Sequence, residues 1–392
     1  MVKPFQFSRL PKIYFKNGII AELPSLVHRY GTKILLVTGK HSFLSSLHAD
    51  KLFNDFKEEG IEYYIHSIPG EPSSGMIDTA TKMFKNEPIN LVVGIGGGSV
   101  IDAGKAISAM MNRPESVVDF LEGVGTIEHP GTKLPYIAIP TTSGTGSEAT
   151  KNAVISKIGK NGFKRSLRHD NFVPDIALVD PELTFHCPKN VTAASGMDCF
   201  TQLTEAYLSD KSNEYTDALA FEGLKAIKES LTRSYNNGDD TEARTGMSFA
   251  ALTSGICLAN AGLGVVHGFA SSIGGQHDIP HGLICGTLMP ISNEINIREL
   301  RKSNKNPKAL KKYALLGALF LDIPGYSDEY YIDSFVSYLY NLSYDLGLTG
   351  LKKSGLKEKN VRLLCSITEN KNNPVKLAEE DLIEILLKSL KN

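Results

Sequence analysis

The sequence predicts two domains: an α/β domain with a largely parallel sheet over residues 1–185, and an all-α domain over residues 186–392. The chain of 392 residues is longer than one ordinary domain of about 100 to 200 residues. Its first half alternates short β-branched runs with helical patterns, which is typical of βαβ units. After Pro188 it consists of alanine- and leucine-rich segments with a repeat of about 3.6 residues and hardly any strand signal.

The elements of the first domain follow from these patterns. Strands are predicted at residues 34–38, 63–68, 91–95, 136–139 and 176–179. Helices are predicted at residues 42–59 and 73–85. The boundary near residue 185 rests on the change of pattern alone, because no Pro-, Gly- or Ser-rich linker separates the halves. Two domains in close contact should leave a cleft, which is the usual place for a ligand.

The charges of the chain nearly balance. Lys and Arg number 42 and Asp and Glu number 43, which gives a net charge of −1. Without a strong net field, the protein has no electrostatic reason to bind nucleic acid or an anionic membrane. We therefore expect a small-molecule substrate, no nucleic acid and no membrane partner, and we interpret the lysine-rich residues 301–312 as a solvated surface segment.

The cysteines and the N-terminus indicate a cellular compartment. The cysteines are odd in number and form no C-x-x-C pair, which argues against a disulfide framework or a zinc ribbon; they are Cys187, Cys199, Cys257, Cys285 and Cys365. The first residues lack the apolar stretch of a signal peptide, and no run of about 18 apolar residues occurs. We expect reduced thiols and a cytoplasmic protein.

A glycine-rich loop follows the strand predicted at 91–95. The chain passes through Gly96, Gly97 and Gly98 into a helix that should start near Ser99. Glycines allow a close approach of the backbone to a phosphate, and a helix N-terminus offers free N–H donors and a positive dipole end. Tight turns also use glycine for steric reasons, and Ser99 with Asp102 has the form of a capping box.

A second loop strengthens the first. Residues 139–148, IPTTSGTGSE, place hydroxyls and two glycines after another apolar strand. Ligands of open α/β sheets bind outside the carboxyl ends of the strands, and here two such ends carry loops suited to phosphate. Together they predict a Rossmann-like nucleotide-binding domain.

These motifs resemble those of the iron-containing, or group III, alcohol dehydrogenase family. The glycine loop continues as GGGSVIDAGKA and the second loop as PTTSGTGSE. The resemblance extends over nearly the whole chain, through VDPELT at 179–184, GMDCFTQLTEAY at 196–207, GLGVVHGFA at 262–270 and IPHGLICGTLMP at 279–290. It implies a homodimer and a nicotinamide cofactor.

The resemblance also implies cofactor roles for individual residues. Gly97, Gly98 and Ser99 would hold the pyrophosphate, and Asp102 would lie near the nicotinamide ribose as part of the catalytic site. The remaining positions would line the phosphate and nicotinamide or reach the ribose; they are Thr141, Thr142, Ser147 and Lys164.

Three side chains of the helical half are candidate metal ligands: Asp198, His267 and His281. A carboxylate with two imidazoles suits Fe²⁺ or Zn²⁺ and leaves a position open for a substrate oxygen. Each residue alone has ordinary structural uses, but all three stand where the family places its metal ligands. The helical half is therefore predicted to be a metal-binding domain.

The chain departs from the family pattern at Gln202. The fourth family ligand is a histidine four residues after the aspartate, on the same helical face. Gln202 could coordinate through its amide oxygen, hydrogen-bond a metal-bound water, or only line the pocket. Related glycerol dehydrogenases and dehydroquinate synthases imply that three ligands suffice, whereas maleylacetate reductases imply that such a chain could lack metal.

A second departure concerns a histidine one helical turn after the first metal-binding histidine. This position is Ser271 here. His277, four residues before His281, is the candidate to take over a catalytic proton-relay role, and its alternative is a plain surface or capping histidine.

The resemblance implies hydride transfer between C4 of the nicotinamide and a small alcohol or aldehyde whose oxygen is polarised by the metal. Two alternatives stay open. One is a cyclising lyase similar to dehydroquinate synthase. The other is an oxidoreductase for a carboxylate-bearing sugar acid, such as a 3-deoxy-octulosonate oxidase, with Arg165 or Arg168 holding the carboxylate. A non-catalytic binding protein is disfavoured because nucleotide and metal motifs are both present.

The choice between NADP and NAD depends on the residues after the strand at 34–38. An acidic residue there would bind the ribose 2′-hydroxyl and repel a 2′-phosphate. This chain has Gly39, followed by Lys40 and Ser42. The absence of a carboxylate and the presence of a cation favour NADP.

Overall fold

A computed structural model describes residues 2, 4–159, 162–348 and 350–391. The strands, β1 to β8 in chain order, are Lys12–Phe15, Lys33–Gly39, Glu62–Ile68, Leu91–Gly96, Tyr136–Pro140, Asn152–Lys157, Phe163–Arg168 and Ile176–Val179. The α-helices of the first half, α1 to α4, are Leu23–Val27, Leu47–Glu58, Ser74–Phe84 and Gly98–Met110. Short 3₁₀ helices occur at Ile19–Glu22, Val117–Phe120, Ser147–Ala149, Asp170–Phe172, Pro181–Thr184 and Glu358–Asn360.

A parallel sheet forms the centre of the first half, with the strand order β1-β8-β5-β4-β2-β3 among the described residues. Its central strands are apolar on both faces because helices cover both: Leu35 and Val37 pack in one cluster with α3 and α4, whereas Ile34 and Leu36 pack in another with α1 and α2. The predicted α/β class and all five predicted strands are confirmed. The strand order reverses between β2 and β4, so the loops after these two strands lie side by side.

Three strands were not predicted from the sequence. β1 is a four-residue strand at the sheet edge, and only part of its surface is buried. β6 and β7 form an antiparallel hairpin outside the main sheet, in which Ser156 pairs with Lys164. Their sequences, NAVISK and FKRSLR, mix charged and apolar residues and lack the continuous apolar runs of the central strands.

The second half is helical, as predicted. Its helices, α5 to α13, are Lys189–Leu208, Glu214–Asn236, Thr241–Ala261, Val265–Gln276, His281–Ser303, Pro307–Leu321, Asp328–Asp345, Val361–Ser366 and Glu379–Ser389. Helix α5 is buried over most of its length, which places polar side chains inside the domain: Asp198, Gln202 and Glu205 are at most 7% exposed. The last strand ends at Val179 and α5 begins at Lys189. The boundary predicted near residue 185 lies between them and stays a prediction.

The interpretation of residues 301–312 as a solvated segment was wrong at its end. Lys312 lies inside α10 and is only 6% exposed. Its ammonium group donates to Ser212 Oγ at 2.8 Å and to Asp217 Oδ1 at 2.6 Å. The lysine-rich composition predicted a surface segment. The side chain of Lys312 is instead buried, and the carboxylate of Asp217 compensates its charge.

The loop after β5 contacts the helical half through glycines. Gly146 has a φ of 60°, and a Cβ on it would come within 2.5 Å of the backbone of α7 at Gly255 and Ala251. A Cβ on Gly144 would come 2.8 Å from Cβ of Ser195 on α5. Side chains at these glycines would push the loop off the helices, so the glycines fix the position of the loop.

In the described part of the chain, no single helix has both the length and the apolar character needed to cross a membrane. The consecutive helices α7 and α8, bent by 98° at their junction, would meet those criteria only as a pair.

Candidate active site

The glycine loop connects β4 directly to α4, whose N-cap is Gly97 without a capping side chain. The capping box expected from Ser99 and Asp102 does not form: Ser99 Oγ donates to Glu71 Oε1 at 3.3 Å, and Asp102 accepts from the amide of Val154 at 3.0 Å. The first N–H groups of α4 therefore have no side-chain acceptor from their own helix start, which suits an anionic ligand.

The second loop lies against the first. A Cβ added to Gly98 would come 2.5 Å from Thr145, so only glycine allows this approach. The two loops line one cleft. The first loop contributes Gly97 and Gly98 to it, and the second contributes Thr142, Thr145 and Ser147. Thr141 is not among the lining residues, and its amide donates to the carbonyl of Gly96 at 2.9 Å. Thr141 thus ties the two loops together through the backbone.

The end of β2 lies beside these two loops, which together form the anion cradle. Gly39, Lys40 and His41 line the cleft. A Cβ on Gly39 would meet only Ser42 Oγ, at 3.8 Å, so the backbone does not require glycine here. Lys164, on β7, donates to Glu71 Oε2 at 2.8 Å, and this pair lies at the cleft next to Ser99.

Lys105 and Asp102 form a buried ionic group that contacts the anion cradle. The ammonium group of Lys105, 1% exposed, donates to the carbonyls of Ser147 and Asn152 at 2.8 Å each. Asp102 accepts from Ser147 Oγ and lies 3.8 Å from Lys105. Lys105 thus fixes the second loop relative to α4. The sequence analysis missed it, although a lysine three residues after Asp102 falls on the same helical face.

Burial changes the pKa values of this group. It lowers the pKa of Lys105 to about 8, although Asp102 and Glu148 oppose the shift. It raises the pKa of Asp102, which Lys105 and the hydroxyl of Ser147 oppose. It also raises the pKa of Glu148 to about 7, against Lys105. One cation shared by two buried carboxylates does not compensate both fully.

The three predicted metal ligands meet at the far side of the cleft. Asp198 Oδ1 lies 3.3 Å from His267 Nε2 and 3.6 Å from His281 Nε2. Asp198 Oδ1 is buried and has no hydrogen-bond partner among the described residues. Cys285 joins this group, because one ligand atom from each of the four side chains lies within 4.8 Å of all the others. A buried carboxylate oxygen that faces two imidazole nitrogens fits a divalent cation.

Glu205 orients the first imidazole. Its Oε2 accepts from Nδ1 of His267 at 2.7 Å, and its Oε1 accepts from the amide of Val266 at 2.7 Å. A carboxylate only accepts, so Nδ1 of His267 carries a proton and Nε2 is the nitrogen that would bind a metal. Burial acts to lower the pKa of His267, but Cys285, Glu205 and Asp198 outweigh burial and hold that pKa well above its usual value, so metal binding would displace the proton on Nε2. The sequence analysis missed Glu205; its position two helical turns after Asp198 on α5 was the available signal.

The ionisation states of Asp198 and His281 suit metal binding. Burial acts to raise the pKa of Asp198, but His281 and His267 outweigh burial and lower that pKa to about 2. Burial, together with Lys164 and His267, lowers the pKa of His281 to about 4 although Asp198 opposes it. At neutral pH, Asp198 is therefore a carboxylate and His281 a neutral imidazole, the forms that bind metal.

Gln202 lies next to Asp198 but faces its other oxygen. The side-chain amide nitrogen of Gln202 donates to Asp198 Oδ2 at 3.3 Å, and its oxygen Oε1 accepts from Ser254 Oγ at 3.1 Å. The opposite orientation would place the amide oxygen against the carboxylate, which is unfavourable. In this arrangement Gln202 orients Asp198.

The two substituted histidine positions differ in location. Ser271 lines the cleft, and its hydroxyl donates to the carbonyl of His267 at 2.9 Å. His277 follows the C-terminus of α8 and does not occur among the described residues that line the cleft. Its Nδ1 is buried without a partner in the described part of the chain.

Two arginines near the cleft have acidic partners. Arg165 lies 3.8 Å from Glu369, and Arg168 lies 3.2 Å from Glu122. The cleft itself has a volume of about 1630 Å³ and extends from Gly39 and Lys40 to His267 and His281. A single cavity therefore connects the glycine loops with the candidate metal ligands.

The parallel sheet carries an anion-binding pair of loops where its strand order reverses. A buried cluster of one carboxylate and two imidazoles lies next to these loops in the helical half. This combination defines a metal-dependent dehydrogenase that uses a nicotinamide dinucleotide. Comparisons with known proteins agree. The family model described as iron-containing alcohol dehydrogenase matches residues 11–181. The model for the C-terminal part of the Fe-containing alcohol dehydrogenase family matches residues 192–390. The chain belongs to the iron-containing alcohol dehydrogenase family.

Individual relatives cover nearly the whole chain. Alcohol dehydrogenase 4 of Saccharomyces cerevisiae is 30% identical over 97% of each chain. The NADPH-dependent butanol dehydrogenase of Clostridium saccharobutylicum is 32% identical over 89% of this chain and 87% of its own. The solved structure of a 1,3-propanediol oxidoreductase superimposes with a TM-score of 0.88 at 27% identity, covering 99% of this chain and 100% of that one.

The comparisons confirm the predicted enzyme class. The protein is an NAD(P)-dependent oxidoreductase that acts on CH–OH groups, with a divalent metal. They do not favour the alternatives of a sugar-acid oxidoreductase or a cyclising lyase.

Proposed function

We propose that the protein interconverts a small primary alcohol and its aldehyde, with NADP as the preferred cofactor. The observation that carries this proposal is the single cavity that joins the glycine loops to the cluster of Asp198, His267 and His281. Cofactor and substrate bound at its two ends would meet between the domains.

The residues of this chain would divide the work as follows. Gly97, Gly98 and the start of α4 bind the pyrophosphate, and Asp102 with Ser147 positions the nicotinamide end. Asp198, His267 and His281 hold the metal, and Glu205 fixes the imidazole of His267. A divalent metal held there supplies Lewis-acid polarisation of the substrate oxygen.

The roles proposed for Lys164 and His277 require movement. Lys164 would reach the ribose only after it leaves Glu71, 2.8 Å away. His277 would relay a proton only if the end of α8 turns its ring toward the cleft.

The choice of an uncharged substrate over a sugar acid rests on the two arginines that were expected to hold a substrate carboxylate. Arg165 and Arg168 are both paired with glutamates, so neither is free to bind a substrate carboxylate without breaking a pair. Curated relatives that act on butanol and methanol support the same size class.

The preference for NADP rests on the end of β2. Gly39 and Lys40 line the cleft there, no acidic residue directly follows the strand, and Lys40 would attract a 2′-phosphate. The butanol dehydrogenase relative is described as NADPH-dependent, whereas the methanol dehydrogenase relative is NAD-dependent.

The test is kcat/KM for NADP and NAD with a panel of alcohols, aldehydes and sugar acids, in wild type and in Gly39→Asp. The space around Gly39 accommodates the new side chain. We expect NADP to be preferred by wild type and the preference to shift toward NAD by at least about tenfold in the variant, because about 1.4 kcal/mol of lost or gained binding corresponds to that factor. An NAD-selective wild type, or turnover of sugar acids alone, would contradict the proposal.

The cellular setting is part of the proposal. The five cysteines are free in the structure, which agrees with a reducing cytoplasm. Assembly as a homodimer is proposed from the family resemblance, and light scattering of the purified protein tests it.

A further inference from the structure

The position of Cys285 is the starting point. Cys285 lies one turn after His281 on α9, so both side chains project from the same face of that helix. It is fully buried, and its Sγ lies 3.9 Å from Nε2 of His267. A thiol at this place has no role in the function proposed above.

The distances between the four side chains resemble those of a tetrahedral metal site. Ligands at about 2.0 to 2.2 Å from a cation lie about 3.3 to 3.5 Å from one another for nitrogen and oxygen, and about 3.6 Å for nitrogen and sulfur. Asp198 Oδ1 lies 3.3 Å and 3.6 Å from the two imidazoles, and Cys285 Sγ lies 3.9 Å from His267. All four ligand atoms lie within 4.8 Å of one another, so metal binding would draw the widest pairs together by up to about 1 Å.

We propose that Cys285 is the fourth protein ligand of the metal, so that the site is Asp198, His267, His281 and Cys285 and selects Zn²⁺ over Fe²⁺. The proposal rests on the same metal site as the proposed function, and a five-coordinate metal would keep a position for the substrate oxygen. On metal binding, the Sγ–H bond of Cys285 breaks, the proton leaves to solvent and the Sγ–metal bond forms. Thiolate is a soft ligand, and a soft ligand added to two imidazoles favours zinc.

The arrangement of Gln202 supports this assignment. Its amide nitrogen is used by Asp198 Oδ2 and its amide oxygen by Ser254, so neither group faces the two histidines. Cys285, on α9 together with His281, has its Sγ 3.9 Å from Nε2 of His267. The ligand that the family places at position 202 is thus replaced from α9, and Gln202 holds Asp198 in orientation from α5.

The experiment measures metal binding by the full-length protein, in wild type, in Cys285→Ala and Cys285→Ser, and in Cys365→Ala. Cys365 is the matched control because it is buried in the same apolar cluster as Cys285 but lies outside the metal group. The probes are Co²⁺, Zn²⁺ and Fe²⁺ added to metal-free protein. Co²⁺ bound by a thiolate shows a sulfur-to-metal charge-transfer band in the near ultraviolet.

We expect this band in wild type and in Cys365→Ala and its loss in both Cys285 variants. Cys285→Ala should also weaken Zn²⁺ binding by at least about tenfold, because loss even of a residue outside the ligand shell commonly costs that much. Fe²⁺ binding should weaken less, so the preference for zinc falls.

The outcomes that overturn the inference are distinct. Wild type that binds Co²⁺ without a charge-transfer band, or Cys285→Ala with unchanged zinc affinity, would refute ligation by Cys285 and leave the proposed function standing. Wild type that binds none of the three ions would refute both. Absence of the band in wild type would refute ligation by Cys285 even if a Cys285 variant fails to fold.

Discussion

At the scale of single residues, the protein places charged groups where burial is expensive and compensates them with specific partners. Asp198 has two imidazoles and an amide, and Lys105 has two carbonyls, two hydroxyls and Asp102. Removing one partner from such a group leaves the other uncompensated, which usually costs more than the contact contributed. Substitutions of these buried groups or their partners should therefore have large effects, which distinguish the role of one residue from that of another.

The first residue-scale prediction separates Gln202 from the metal ligands. Asp198→Ala should lose the metal and at least about 100-fold in kcat, because a Lewis-acid metal contributes several kcal/mol to catalysis. Gln202→Ala should keep the metal with an affinity lowered by about 10- to 100-fold, since it loses a hydrogen bond that orients Asp198 but no ligand. Gln202→His should raise the affinity. Metal analysis of the purified variants is the measurement, and complete loss of metal from Gln202→Ala would make Gln202 a ligand.

The second residue-scale prediction concerns Glu148 and pH. Its pKa is raised by burial from 4.5 to about 7 in the folded protein. Between pH 4.5 and 7 the folded state therefore holds a proton that the unfolded state releases, so this group makes the protein less stable as pH rises through that window. Glu148→Gln should remove this contribution, and its melting temperature relative to wild type should rise from pH 5 to pH 7.

The effect of Glu148 should be on the order of 1 kcal/mol for each pH unit in that window. Thermal melts of wild type, Glu148→Gln and the control Glu58→Gln, which changes an exposed carboxylate on α2, provide the measurement. A difference between Glu148→Gln and wild type that stays constant with pH would show that Glu148 is already ionised in the folded protein at pH 5.

At the scale of elements, close backbone approaches assemble the site. The loops after β4 and β5 meet at Gly98, and the second of them presses against α7 at Gly146. These contacts set the distance between the phosphate cradle and the helices that carry the metal ligands. The precision of the site therefore depends on glycines that themselves do no chemistry.

The element-scale prediction is that Gly98→Ala raises KM for the nicotinamide cofactor by at least about tenfold, because a loss of about 1.4 kcal/mol in binding gives that factor. The added Cβ would come 2.5 Å from Thr145 and force the two loops apart. Gly75→Ala on α3 is the matched control, since a Cβ there meets nothing within 4 Å. Steady-state kinetics with varied cofactor measures the effect, and equal KM values for the two variants would show that the loops adjust without cost.

At the scale of the whole molecule, the proposed metal ligands join α5 to the consecutive helices α8 and α9, which lie much later in the chain. Asp198 lies on α5, His267 on α8 and His281 on α9. A cation bound by the folded state alone stabilises it by mass action, by about 2.7 kcal/mol when its concentration is 100 times Kd. Metal binding should therefore contribute to the stability of the helical domain as well as to catalysis.

The whole-molecule prediction is that a chelator lowers the melting temperature by about 5 °C or more, which is the shift that 2 to 3 kcal/mol produces in a domain of this size. Added Zn²⁺ should restore it. Asp198→Ala should show no dependence on chelator, which is the control. A wild-type melt that is the same with and without chelator would mean that the metal does not bind the folded state selectively.

The sequence by itself determined the α/β and all-α halves, the central strands and the two glycine loops, because apolar periodicity and glycine placement are local properties of the chain. It also identified Asp198, His267 and His281 as candidates through the family resemblance. It missed β1 and the hairpin of β6 and β7, whose half-buried, partly charged sequences give no strong local signal.

Only the tertiary structure decided which side chains meet. The quoted motifs contain Glu205, Cys285 and Lys105 but gave them no role, whereas folding places the first two against His267 and the third against the second loop. It also decided that Ser99 and Asp102 do not cap α4, and that Lys312 is buried. The physical reason is that burial and long-range hydrogen bonds depend on how distant segments pack, and local sequence does not encode these distances.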